Sequence, residues 1–586
     1  MTKPIEGFRS SPQQLRAWRL QREGATSCSL LSLRLEGELD RRALHRSLAA
    51  TVARNEILRT AFRVPAGLAT PLQVIHDPGA VSLPEVDFRE LAPEHRPGEL
   101  AALLGVLGGA PFDLEQGEAW RAALVQLGPG DHEMLLALSA VCADPGALEP
   151  LAAELVAAYA RELAGDEGQP EPPLQYADVA QWQNSLLEGQ DAEEGLAVWR
   201  EHWQVHDIDA RLSWPLPLQE SETAPGPFAP RDVAVPLACE TAGALARLAG
   251  AWGAPPQVLI LAAWKAVIQR GTGRDETLVG VLCPGRNAEE LRGVIGPLAR
   301  YLPIAGRFSR ESSLREAVAQ VGQAMKKAEQ WEEYFSWDHV AGTKPGAGGF
   351  PLCFEAGTGD WKLAVNGLQV KPVWRLAGRA LLDSFSLSLS CSGEGESLRL
   401  AVRYDPRRYR REAAGRLAGR LAALLDSVVA RPEASLGHHA AMADDELGLW
   451  LHLSRAPQAA GRRWEGKTLA AVFEDQVDRT PDRLAVVAGD LLTFRELDVR
   501  ANRLAHHLRA AGAGPEVPVA LCLDRSAEAV VAILAVWKAG SCYVPLDPAQ
   551  PADRLAFLLS DTAAPLLVSR SRLAPGQPGA RKRLGG

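Results

Sequence analysis

No two of the eight cysteines stand as a Cys-x-x-Cys pair; they are scattered at Cys28, Cys142, Cys239, Cys283, Cys353, Cys391, Cys522 and Cys542. That spacing excludes a zinc knuckle and a thioredoxin-type dithiol, and no metal is expected. Positive charge is also in short supply: 63 Lys and Arg face 72 Asp and Glu, for a net charge of −9 and a pI near 5.8. A general nucleic-acid binder needs the opposite balance, so no nucleic-acid partner is expected. Long apolar runs are missing too. The longest, around 258–268, is interrupted by Lys265 and is too short to span a bilayer, so no membrane partner is expected. Residues 1–12 are polar and lack the apolar core of a signal peptide. A reducing cytoplasm is the expected compartment. Fixed-period repeats and low-complexity segments are absent.

What is present is a chain of 586 residues, too long for one ordinary core, with 47% hydrophobic and 23% charged residues. Polar or Pro-rich stretches at 165–173, 215–230 and 437–463 read as connectors. After residue 468 the rhythm is legible. Leu469, Val472, Phe473 and Gln476 repeat at helical spacing, as do Leu497, Ala501, Leu504 and Leu508. A strand is predicted at 517–523, a helix at 527–539, a strand at 542–546, a helix from 552 and a strand at 565–568, the alternation of parallel βαβ units. The first 440 residues are also mixed α/β. Leu44, Leu48 and Val52 mark a helix with Asp40 as its N-cap. Residues 134–138 form an apolar strand, followed by a helix through Leu148, Leu151, Leu155 and Tyr159. Residues 385–391 and 398–404 alternate like paired strands around a turn at 393–396.

Several short stretches, in order, resemble the condensation domains of nonribosomal peptide synthetases. Ser11-Pro12-Gln13-Gln14-Leu15-Arg16-Ala17-Trp18 is similar to S-x-A-Q-x-R-L-W, and residues 54–62 (RNEILRTAF) to R-H-E-x-L-R-T-x-F. Residues 176–183 (YADVAQWQ) resemble Y-x-D-Y-A-x-W-Q. Gly285-Arg286, then Ile295-Gly296 with Leu302-Pro303-Ile304, resemble the G-R and I-G-x-x-x-N-x-L-P-L elements, with Arg300 in the place of the asparagine. Residues 492–497 (LTFREL) and 537–547 (WKAGSCYVPLD) resemble the first two adenylation motifs. The Gly/Ser/Thr-rich phosphate loop, the catalytic lysine and a carrier serine do not follow, and 579–586 does not resemble adenylation sequence.

The resemblance implies an α/β fold: two chloramphenicol-acetyltransferase-like halves in a V, over 1–205 and 206–440. A linker over 441–467 would then lead into the truncated start of an adenylation domain at 468–573, with 574–586 an unassigned tail. It also implies amide formation between thioesters that donor and acceptor carrier proteins present on 4'-phosphopantetheine, with no cofactor bound by the chain itself. ATP and Mg²⁺ belong only to a complete adenylation domain, so amino-acid activation is not expected.

The family's H-H-x-x-x-D-G motif puts its second histidine beside the attacking amine. Aligned on the strand at 134–138, this chain reads Ser139-Ala140-Val141-Cys142-Ala143-Asp144-Pro145-Gly146. Ser139 and Ala140 stand where both histidines belong, so the usual base is missing at Ala140. Asp144 before Pro145 has the form of a helix N-cap, a structural role, and by resemblance its ion-pair partner is Arg286. The loop is expected to face the tunnel between the halves. Cys142 reads as a buried small residue, since nothing supplies a lowered pKa or a base. Ser139 reads as a serine bonded to backbone, and His132 and His339 as ordinary histidines with a smaller case for replacing the base. His506-His507 is a decoy on the 497–508 helix, and the aromatics Trp331, Tyr334, Phe335 and Trp337 read as core. Two functions follow from this pattern: a condensation domain that still forms amide bonds, or a non-catalytic platform that gates carrier proteins or recruits a tailoring enzyme in trans.

Overall fold

The computed structural model describes residues 7–570 except 25–26, 167, 169, 191, 221–223, 227, 341–348, 358–360, 366, 374–381, 394, 441, 455–465 and 489. It contains two compact units, Met1–Gly448 and Leu449–Gly586. The first unit holds fifteen described strands. They are β1 (Phe8–Arg9), β2 (Cys28–Glu36), β3 (Thr60–Arg63), β4 (Leu72–Ile75), β5 (Glu85–Asp87), β6 (Trp120–Gly128), β7 (Asp131–Ser139) and β8 (Arg231–Ala234). Next come β9 (Glu276–Cys283), β10 (Arg300–Arg307), β11 (Leu352–Ala356), β12 (Leu363–Val365), β13 (Leu368–Pro372), β14 (Leu387–Ser392) and β15 (Arg399–Tyr404).

Two six-stranded sheets organise this unit, in the orders β12-β13-β2-β7-β6-β5 and β10-β9-β11-β14-β15-β8. The first is centred on β2 and β7, antiparallel, with Cys28 opposite Ser139. The turn between β6 and β7 uses Gly130 at φ +67°, a conformation that costs other residues a Cβ clash. Helix Arg41–Arg54 covers this sheet beside helix Leu148–Ala164. Asp40 caps the former, its carboxylate accepting from Ala43 N at 2.9 Å, as the sequence predicts.

β12 and β13 lie between β11 and β14 in sequence but not in space. They leave the second sheet and extend the first, with Val370 opposite Leu35. The two sheets are therefore tied by a strand exchange, and a cut near residue 205 separates sequence halves but not folded ones. The second sheet packs on helix Pro256–Thr272, buried on every side from Val258 to Gln269. Lys265 interrupts its apolar run yet is fully buried: its Nζ donates to Thr277 O and Ile304 O, both at 2.8 Å. Burial pulls that amine down to about 7.

The second unit follows the predicted alternation. The hairpin β16 (Leu484–Ala488) and β17 (Asp490–Thr493) precedes a sheet of β18 (Pro518–Cys522), β19 (Cys542–Leu546) and β20 (Leu566–Ser569). β18 pairs parallel with both neighbours, and helices Ala527–Ala539 and Ala552–Asp561 make the crossovers. Among the described residues, no helix is long and apolar enough to cross a membrane.

Candidate functional site

The candidate site begins where β7 ends. Ser139 N donates to Ala119 O at 2.8 Å, and Ser139 O accepts from Cys142 N at 2.8 Å and Ala143 N at 3.0 Å, which closes a tight turn. Ala140 N donates to Ser27 O at 3.1 Å, and Ser29 Oγ donates to Ala143 O at 2.8 Å, so the turn is fastened to β2. Ser139 Oγ accepts from Val141 N at 3.4 Å. Ser139, Ala140, Cys142, Ala143 and Asp144 have no exposed surface, and Val141 has 1%. The turn is part of the core rather than the wall of an open channel. Burial holds the Cys142 thiol far above its ordinary pKa, so it carries no thiolate at neutral pH.

Asp144 accepts four hydrogen bonds. Oδ1 takes Ala147 N at 2.8 Å, capping the short turn Pro145–Ala147 that leads into helix Leu148–Ala164. Oδ2 takes Arg286 Nη1 at 2.9 Å, Leu298 N at 2.7 Å and Ala299 N at 2.6 Å. Arg286 is pinned in turn by Pro284 O and Gly296 O. A Cβ on Gly146 would stand 2.6 Å from Arg286 Nη1, so the glycine makes room for the guanidinium. The carboxylate therefore clasps the first sheet's turn to the approach to β10.

A second knot lies beside it. Tyr176 OH donates to Pro297 O at 2.7 Å and accepts from Ser11 Oγ at 2.7 Å. Its ring covers Gly296, where a Cβ would fall 1.9 Å from a ring carbon. Three motif stretches, at 11–18, 176–183 and 295–304, thus meet at one seam.

Among the described residues the space at the seam is small. A cavity of about 60 Å³ is lined by residues that include Gln13, Arg16, Ala299, Arg300, Tyr301 and Trp337. That holds a few waters. Arg300 closes one side: Nη1 donates to Glu332 O at 2.7 Å and Nη2 to Glu333 Oε2 at 2.8 Å. With its amide oriented to satisfy both ends, Gln13 also accepts from Arg300 Nη2 at 2.9 Å. Arg16 pairs with Asp383 through two bonds of 2.9 and 2.5 Å, and stacks over Trp337.

The histidines lie elsewhere. His132 is at the other end of β7, about 23 Å from Ser139 at strand rise. It contacts Arg41, and burial lowers its pKa. His339 Nδ1 sits 3.2 Å from Ser336 Oγ in the short helix Trp337–Val340. His506 and His507 are exposed on helix Phe494–Ala510 of the second unit. Phe335 is buried in the second sheet's core, with Trp331, Tyr334 and Trp337 packed against it.

Sequence reasoning passed over Glu332. It is 2% exposed; Oε1 accepts from Asn287 Nδ2 at 2.8 Å, and Oε2 has no hydrogen-bond partner among the described residues. Burial, only partly offset by Arg300, pushes its carboxyl up to about 7. Nothing in the adjacent acids Glu332-Glu333 distinguishes a buried one from an exposed one.

The family model described as "Condensation domain" matches residues 9–335, more than half of the chain. The chain belongs to the condensation-domain family. A second family model, "AMP-binding enzyme", matches residues 473–583. A linear gramicidin synthase of Brevibacillus parabrevis is 30% identical over 93% of this chain and 11% of its own length. Phosphinothricin tripeptide synthetase PhsC of Streptomyces viridochromogenes is 33% identical over 93% of this chain and 50% of its own. The chain thus spans from about a tenth to a half of these relatives' length, and within that span it is a condensation-domain component of a nonribosomal peptide synthetase with part of an adenylation domain. In fold it is similar to the four-domain nonribosomal peptide synthetase holo-AB3403, solved with AMP and glycine (TM-score 0.72, 19% identity, 99% of this chain and 44% of that one). The condensation domain is also similar to the X-domain from teicoplanin biosynthesis (TM-score 0.61, 25% identity, 75% of this chain and 98% of that one).

Proposed function

We propose that this condensation domain is a non-catalytic platform, one that receives carrier proteins bearing phosphopantetheine thioesters and recruits a second enzyme, without forming the amide bond itself. The observation that carries this reading is the enclosure of the turn 139–144 beside a seam cavity of about 60 Å³. Small-molecule sites are usually about 300–1,000 Å³, and a tethered aminoacyl arm needs space of that order. The chemistry agrees. Ala140, at the position of the family's second histidine, offers a methyl group, and the Asp144 carboxylate is taken by four donors. General-base help is worth about 10²–10⁴-fold, and the gain from holding two reactants together is forfeited where they cannot enter. The X-domain of teicoplanin biosynthesis has been solved in a complex with OxyB, which supports recruitment as the remaining role.

The test is a single-turnover assay on the full chain. An aminoacyl-loaded donor carrier and a loaded acceptor carrier are mixed with it, acceptor mass is followed, and carrier binding is measured by fluorescence anisotropy. Binding without dipeptide above the protein-free background is expected. Dipeptide formed by the unaltered chain would overturn the platform reading.

One observation favours the other reading, amide formation without the loop histidine. Glu332 offers a buried oxygen with no hydrogen-bond partner among the described residues, on a carboxyl poised near neutrality. If the unaltered chain is active, Glu332→Gln should remove that activity, and retention would exclude Glu332 as the proton acceptor.

A further inference from the structure

A second group of ionisable side chains lies away from the seam, in a groove between helix Ala192–Val205 and helix Leu314–Gln330 and along the edge strand β10. The groove encloses about 460 Å³, within the range of ligand sites. His202 and His206 both line it, four residues apart, the first on helix Ala192–Val205 and the second just past its end. Their ring centroids are 4.6 Å apart.

Each ring has one nitrogen committed. His202 Nε2 lies 3.0 Å from Pro303 O, a carbonyl, so Nε2 must carry the proton and donate. His206 Nδ1 lies 2.9 Å from Glu276 Oε1, and there too the nitrogen must donate. In the neutral tautomers these bonds select, His202 Nδ1 and His206 Nε2 carry the lone pairs, and neither has a hydrogen-bond partner among the described residues. Glu276 is itself fixed by Arg211 at 2.8 Å. A metal-binding histidine is held in the same way: its second nitrogen donates to a carboxylate or a backbone carbonyl, which fixes the tautomer and raises the basicity of the first.

We propose that His202 and His206 bind a divalent first-row transition ion of the Zn²⁺ class, oriented by Pro303 O and Glu276. Two imidazoles on one tetrahedral ion, at about 2.0–2.1 Å per Zn–N bond, hold their ring centroids about 5 Å apart, close to the spacing here. Imidazole nitrogen suits Zn²⁺, Ni²⁺ and Cu²⁺ and excludes Ca²⁺ or Mg²⁺, which want oxygen. Among the described residues no third protein ligand completes the group. The site is therefore open, with its remaining positions left to water or to an anion. Arg307 and Lys327 on the same groove would draw an anion there. Glu276 serves as the orienting carboxylate rather than as a ligand.

The test uses the full chain, tag-free and stripped of metal, titrated with Zn²⁺ by calorimetry and with Co²⁺ by visible absorption. The chain has 12 histidines, so variants must assign the event. One equivalent should bind to the unaltered chain and be lost in His202→Ala and in His206→Ala. Affinity should fall about 10–100-fold in Glu276→Gln, where the orienting charge is gone. His202→Gln keeps a donor for Pro303 O and guards against a folding defect in the alanine variant; it should fold and fail to bind. Absence of a stoichiometric event in the unaltered chain, or full binding by the double alanine variant, would overturn the proposal.

Discussion

The turn after β7 and the groove over β10 hold polar groups in opposite states of satisfaction. At the turn, where the family pattern leads one to look for chemistry, the named acceptors are filled and the side chains have no exposed surface. In the groove, where no motif points, two imidazoles each keep one nitrogen without a hydrogen-bond partner among the described residues, beside about 460 Å³ of open space. The difference teaches that a turn built of small residues need not leave a hole. Ser139, Ala140 and Cys142 are small enough for the turn to close on its own backbone, and the closed turn acts as a fastening. Groups that must bind something cannot be closed over in this way.

The comparison breaks most sharply at Asp144. Asp144→Ala strips four donors of their acceptor and leaves Arg286, only 8% exposed, without its counter-charge. Removing one partner of a buried ion pair costs about 3–5 kcal/mol. Urea unfolding of the first unit should show a loss of that size. A loss below about 1 kcal/mol, the worth of a single ordinary hydrogen bond, would mean the clasp is not a fastening.

Glu332 gives the next largest effect, and it depends on pH. Its folded pKa is about 7, against about 4.3 in an unfolded chain. The folded state then holds the extra proton, so its contribution is complete below pH of about 4.3 and is lost as pH rises through 7. The loss amounts to about 4 kcal/mol. His202 works in the opposite sense: with its folded pKa lowered to about 4, stability falls as pH drops from about 6.5 toward 4. The unaltered chain shows the superposition. Subtracting the urea midpoints of Glu332→Gln between pH 5 and 8 isolates the carboxyl, and a flat difference would remove the basis for treating it as poised.

Much of this architecture was legible in the chain, and for identifiable reasons. Helix Arg41–Arg54 with its Asp40 cap, β7, the β14–β15 pair and the parallel strands of the second unit follow from local periodicity and capping chemistry. The exchange of β12 and β13 into the first sheet was not legible. The sequence Asn366-Gly367 between Leu363, Val365 and Leu368, Val370 has the form of a hairpin. Nothing local says which sheet that hairpin joins, because β2 lies more than three hundred residues away. At the site, Asp144 and Arg286 could be singled out from motif position, and they stand 2.9 Å apart. Enclosure of the turn could not be read, since it depends on Tyr176, Gly296 and Arg300 arriving from distant segments. The His202–Glu276 groove was silent because its members come from two helices and two strands with no shared motif.

Ala140→His tests enclosure directly. An imidazole must enter a position with no free surface, and overpacking of that kind costs about 1–3 kcal/mol. If the variant is as stable as the unaltered chain, a tunnel opens beside the turn and the platform reading weakens. The companion substitution is His206→Gln, where the smallest change is expected. The His206 side chain is 28% exposed and lines a groove, and Glu276 retains Arg211 when the imidazole is gone. Its effect on stability should fall within about 0.5 kcal/mol, as for other substitutions away from a packed core. Measured in one urea titration, the pair separates two kinds of residue: one whose change disturbs the fold, and one whose change leaves the fold intact and can only be felt by a ligand. Equal costs would make the groove a packing element like the turn, and the bare nitrogens would then be an incident of that packing rather than a site.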